Sequence, residues 1–133
     1  MEFLQPPDWP RAKGYSNGIK AKGTMVFVAG EIGWNPVTEK VEHQDFPGQF
    51  RQALKNTVAI LAEAGAGPEH ICRMTWFVTD KNAYLAQAAE VGQAYREVIG
   101  RHYPVMAVIE VKGLMEPGAM VEIETTAIIP DGE

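Results

Sequence analysis

The stretch Ala119-Met120-Val121-Glu122-Ile123-Glu124-Thr125-Thr126-Ala127-Ile128 decides the fold. Ala119, Val121, Ile123, Thr125 and Ala127 alternate with Met120, Glu122, Glu124, Thr126 and Ile128, the period-two pattern of a strand. Both halves of the alternation carry apolar side chains. A sheet apolar on both faces needs helices on one and another subunit on the other. The pattern therefore predicts an oligomer, without fixing its number.

Working outward, Glu116-Pro117-Gly118 is a turn, and residues 105–111 before it read as the preceding strand. Two amphipathic helices lie further upstream. In the first, Phe46, Phe50, Ala53, Leu54, Val58, Leu61 and Ala64 make one stripe, with Asp45 as N-cap, Pro47 in the first turn, and Gly65 and Gly67 ending it. In the second, Tyr84, Ala88, Val91, Tyr95, Val98 and Ile99 form the stripe, Asp80 or Asn82 is the cap, and Gly100 is the stop. Between them, residues 71–79 are rich in aromatic and β-branched side chains and read as a strand. Residues 19–30 read as two strands about a tight turn at Lys22-Gly23. A short strand is expected near 37–42, and residues 1–14 are expected to lie extended over the surface. The order is β-β-(β)-α-β-α-β-β, which predicts an α+β fold with two long helices on one face of a mixed sheet. The 133 residues fit a single domain.

Composition narrows the function. Seventeen acids outnumber twelve dispersed bases, a net charge of −5, which argues against a nucleic-acid partner because phosphate backbones need concentrated Lys and Arg. No apolar run reaches the length of a membrane span, and the N-terminus lacks the basic stretch and apolar run of a signal peptide. A cytoplasmic protein is expected. The single cysteine, Cys72, reads as a buried core residue. His43, His70 and His102 lack metal-ligand spacing, and no Cys/His cluster offers a zinc site.

The segment Tyr103-Pro104-Val105-Met106-Ala107-Val108-Ile109-Glu110-Val111 resembles the signature strand of the Rid (reactive intermediate deaminase, YjgF) family. The resemblance extends over 15–127. Tyr15-Ser16 is similar to an early Tyr-Ser pair, and Val28-Ala29-Gly30-Glu31-Ile32-Gly33 to a Ser-Gly-Gln-Ile-Gly motif. Gln49, Ala53, Leu54, Asn56, Ile60, Leu61 and Gly65 follow the first-helix pattern. Phe77-Val78-Thr79-Asp80 is similar to a strand-ending Thr-Asp, and Val121-Glu122-Ile123-Glu124 with Ala127 to a Glu-Ile-Glu strand. The resemblance implies a chorismate-mutase-like sandwich, a homotrimer with small-molecule clefts between subunits, and no cofactor. It implies Glu122 as the catalytic holder of water, with Tyr15, Gly30, Glu31 and Met106 at substrate-binding places.

The departures matter as much. Members that hydrolyse imines carry Pro-x-Arg, whose arginine forks a carboxylate; here that place is Met106. Losing a bidentate, charge-assisted contact costs at least ~2 kcal/mol of binding. Ala29 stands for the serine and Glu31 for the glutamine, and no asparagine on the second helix matches the family's cleft asparagine. Arg73, Arg96, Arg101 and His102 are candidate substitutes for the arginine, Arg101 and His102 being closest in sequence to the signature strand. Glu31 either points to solvent or joins Glu122 in the cleft, where two carboxyls would push each other's pKa apart. Met106 either fills space or touches substrate. The resulting expectation is an enamine or imine deaminase that does not take the usual 2-imino acids. The alternatives are a non-catalytic metabolite-sensing trimer and, against the acidic balance, an endoribonuclease or translation inhibitor.

Overall fold

The computed structural model describes residues 1–132; the expected single domain over 1–133 ends on Glu133, outside the described residues. The elements are β1 (Glu2–Leu4), β2 (Gly18–Lys20), β3 (Gly23–Ile32), α1 (Phe46–Glu63), β4 (Ile71–Val78), α2 (Lys81–Ala86), α3 (Ala88–Val98), β5 (Val105–Glu110) and β6 (Val121–Pro130), with a 3-10 turn at Pro68–His70 before β4. The main sheet runs β3-β6-β4-β5. β6 pairs antiparallel with β3 and β4, and β5 lies parallel to β4, so the sheet is mixed, as expected.

α1 forms where the stripe predicts it. The Asp45 carboxylate accepts from the Gly48 backbone N–H at 2.9 Å, satisfying one of the free donors of the first turn. Phe46, Phe50, Ala53, Leu54 and Leu61 are buried against the sheet. Gly65 takes φ +75°, the left-handed conformation that ends helices. Inside the helix, Thr57 donates to the Ala53 carbonyl, and Asn56 Nδ2 donates to the carbonyls of Ile32 and Trp34, tying α1 to the end of β3. The second predicted helix is two pieces. Asp80 caps α2, and the chain breaks at Gln87 before α3. The core joins α1 and α3 to Met74, Trp76, Val78, Val121, Ile123 and Ala127 on the sheet.

Two local expectations differ. Residues 19–30 do not fold as a hairpin: β2 pairs with β1, and β3 pairs with β6. A Cβ at Gly23 would collide with the Ile129 carbonyl, so this glycine answers to the neighbouring strand rather than to a turn between β2 and β3. Residues 37–42 form no strand; Asn35 closes a turn there, its side chain accepting from the N–H groups of Val37 and Thr38. Its backbone makes one bridge to Lys40.

The sheet face away from the helices is open. Met25, Phe27 and Ile109 are 53%, 70% and 44% exposed there, alongside Arg73 and Glu124. Among the described residues no helix is long and apolar enough to cross a membrane.

Candidate functional site

The five residues singled out in the sequence fall into two groups. Gly30, Glu31 and Glu122 belong to the first. Glu122 is held on β6 opposite Phe77 of β4 and Ile32 of β3, and β3 breaks register between Val28 and Glu31. A Cβ at position 30 would lie 2.5 Å from Glu122 Oε2, so only glycine lets this carboxylate lie against the strand. Glu31, opposite Ile123 in the β3–β6 register, is half-buried and close enough to feel the Glu122 charge. Burial, and then the nearby Glu122 charge, raise the Glu31 pKa above the ordinary 4.5. The arrangement puts a carboxyl that keeps its proton to higher pH next to a second carboxylate, the pairing that general acid–base chemistry uses.

Tyr15 and Met106 belong to the second group. Met106 stands opposite Met74 in the parallel β4–β5 pair and therefore points to the helix side. Tyr15 is set over it by Ser16. The Ser16 N–H donates to the Pro104 carbonyl at 3.1 Å, and its hydroxyl donates to the Tyr103 carbonyl. Both residues line a cavity of about 570 Å³ between α2, α3 and β5, within the size range of small-molecule pockets. Trp76, Tyr84, Tyr95 and Tyr103 supply its aromatic walls. The Tyr95 and Tyr103 rings stack 5.6 Å apart, and the Tyr95 hydroxyl donates to the His102 carbonyl at 2.6 Å. Burial raises the Tyr95 pKa far above its usual value, so the phenol stays neutral.

The two groups do not converge within one chain. Glu122 and Met106 lie on opposite faces of the sheet. Phe77 of β4 pairs with both Glu122 and Ile109, which places Met106 roughly 10 Å along β5 and two strand spacings, roughly 10 Å, across from Glu122.

The four candidate substitutes for an arginine at 106 are also sorted. Arg73 lies on the open face, Arg101 lines a separate hollow with Phe3 and Trp9, and His102 Nε2 is bonded to the Ile71 carbonyl at 2.6 Å. Arg96 shares the larger cavity with Met106, and Arg73 lines a smaller hollow of about 310 Å³ with Tyr15 and Met106. Sequence proximity points to Arg101 and His102; the packing of α3 over β5 selects Arg96 instead. The aromatic walls were legible only as core stripe. The missed signal is the pair of small residues Ala88 and Gly92, four apart on one helix face, which leaves room beside Met106. Cys72 is buried, as read, and burial raises its thiol pKa.

One layer of helices on one face of a mixed four-stranded sheet, with a small-molecule-sized cavity at the sheet edge, defines an α+β sandwich. The chain belongs to the endoribonuclease L-PSP (YjgF/Rid) family, whose match covers residues 8–129. It is 34% identical over 113 residues to a RutC family protein of Pyrococcus horikoshii, covering 85% of each chain. It is 33% identical over 132 residues to a RutC family protein of Synechocystis, covering 98% of both. Among solved structures it is similar to the Yersinia pestis Rid protein YyfB, described as of unknown function (TM-score 0.83, 28% identity, 96% of this chain and 98% of that one). It is also similar to Escherichia coli TdcF, solved with bound serine (TM-score 0.68, 30% identity, 97% and 99%).

Proposed function

We propose that this protein hydrolyses a small imine or enamine to a carbonyl compound and ammonia, in clefts between the subunits of a homotrimer. The observation that carries the reading is the Glu31–Glu122 pair held beside Gly30. The Glu122 carboxylate takes a proton from water while the water oxygen bonds to the C=N carbon. The C=N π electrons move to nitrogen, which takes a proton from the Glu31 carboxyl. Glu122 then gives its proton to the carbinolamine nitrogen while the Glu31 carboxylate takes the hydroxyl proton; C–O becomes C=O, the C–N bond breaks, ammonia leaves, and both carboxyls return to their starting states. An enamine enters the same path after protonation at carbon. The chemistry asks for no cofactor.

Since Glu122 and Met106 lie on opposite sheet faces, a cleft that uses both takes one from each of two copies. The exposed Met25 and Phe27 supply an apolar surface for such an assembly. Met106 in place of a cation removes the grip on a small 2-imino acid at that position. It also favours a second reading, a trimer that binds a metabolite without turnover. Cleavage of RNA, the activity in the family's name, fits poorly with a charge of −5.

The test is hydrolysis of imines generated in situ by an amino-acid oxidase. For 2-iminopropanoate, wild type is expected to add little and Met106→Arg to gain at least about tenfold, the worth of one charge-assisted contact. Adding Glu122→Gln should abolish the gain. Fast turnover of 2-iminopropanoate by wild type would overturn the role given to Met106. No hydrolysis of any imine by wild type or Met106→Arg, with metabolites still bound, would leave the sensing trimer.

A further inference from the structure

The cavity at Met106 has a sign. The chain carries −5 overall, yet no Asp or Glu lines this cavity, and its charged lining residues are the cations Lys13 and Arg96. Neither cation makes an ion pair among the described residues. Arg96 lies on α3 one turn beyond Gly92. A Cβ at position 92 would meet the Arg96 guanidinium at 3.2 Å and no other side chain within 4 Å. Glycine in the middle of a helix is unfavourable; here it leaves the guanidinium free to lie along the cavity wall. Flat aromatic surfaces line the same cavity, and the buried indole N–H of Trp76 has no acceptor among the described residues. Such walls favour a planar apolar body, and an unpaired guanidinium favours a carboxylate.

We propose that this cavity reads an aromatic or extended conjugated carboxylate, its flat body against Trp76 and Tyr103 and its acid group on Arg96. The grip that position 106 lacks is thereby moved from the strand to the facing helix. A short acid such as 2-iminopropanoate has no such body to occupy the aromatic walls, so the preferred imines are larger and unsaturated. The assignment deepens the function proposed above and rests on it for the reaction, though not for binding.

Binding and turnover are measured separately. By calorimetry, wild type is expected to bind cinnamate at least about tenfold tighter than the uncharged cinnamamide and than the short acid acrylate. Arg96→Met should lose at least about tenfold for cinnamate and nothing for cinnamamide, Arg96→Lys should lose less, and Arg101→Met should change neither. Equal affinity for cinnamate and cinnamamide, or loss in Arg101→Met rather than Arg96→Met, would overturn the proposal. In the second arm the imine of phenylalanine is generated in situ. Arg96→Met is expected to raise KM about tenfold or more with kcat less affected, while Glu122→Gln stops turnover and leaves cinnamate binding intact. Should wild type hydrolyse no imine but bind cinnamate through Arg96, the hydrolase reading fails and the anion site stands. Should phenylalanine imine be hydrolysed with unchanged KM in Arg96→Met, the site assignment fails and the hydrolase stands.

Discussion

The two faces of the β3-β6-β4-β5 sheet are made by the same strands with the same alternation, yet they are finished differently. On the helix side, Met74, Val78, Val121 and Ile123 are almost wholly buried, and α1 and α3 complete the packing inside the chain. On the other side Phe27 remains 70% exposed, and the charged groups Arg73, Glu122 and Glu124 share the surface with it. The first face is a core; the second is a core's worth of strand without its cover. The difference teaches where to look for chemistry. The closed face holds a cavity at its edge, where Ala88 and Gly92 thin the helix, whereas the open face holds the Glu122 carboxylate.

Three substitutions press on this contrast. The largest effect belongs to the closed face. Phe50 is fully buried with its ring 4.7 Å from that of Trp76, so Phe50→Ala should cost about 3–5 kcal/mol, read as a lower urea midpoint. A small effect there would mean that the helix layer is not what secures the fold. Phe27→Asp is the matching change on the open face. It should leave the unfolding free energy of the isolated chain within about 0.5 kcal/mol while shifting sedimentation from trimer to monomer. Wild type sedimenting as a monomer at micromolar concentration would break the reading of the open face as an assembly surface.

The smallest effect is at Glu31. Its pKa is raised by burial and by Glu122, so the folded protein holds that proton more tightly than the unfolded chain does. Its contribution to stability is therefore fully present below 4.5 and lost as pH rises through the higher folded pKa. Glu31→Gln should remove that loss, giving a Tm about 1–2 °C above wild type at neutral pH, a small figure because the side chain is only half-buried. The advantage should vanish in acid. A variant equally advantaged at all pH values would show that the charge is not the cause.

Much of this architecture was legible in the sequence, because periodicity and capping are local. The stripe from Phe46 to Leu61, the caps Asp45 and Asp80, and the alternation of Val121, Ile123 and Ala127 each state their structure within a few residues. What was not legible depends on partners distant in the chain. Gly23 looks like a hairpin residue until β6 is placed beside it, and β2 spans three residues, too few to announce that its partner is β1. The helix break at Gln87 is hidden because the apolar stripe continues across it. Within the site, motif resemblance named Tyr15, Gly30, Glu31, Met106 and Glu122, but not that the strands send them to two faces. Nor could linear distance choose Arg96 over Arg101, since that choice is made by how α3 lies over β5.

The placement of Glu122 and Met106 on opposite sides of one sheet has a consequence in genetic terms. With clefts shared between copies as proposed, each chain lends a carboxylate to one neighbour and a cavity to another. A subunit defective in both would then spoil two of the three clefts of any trimer it enters. Co-expressed with the normal chain, such an allele would do harm exceeding its share of the protein made.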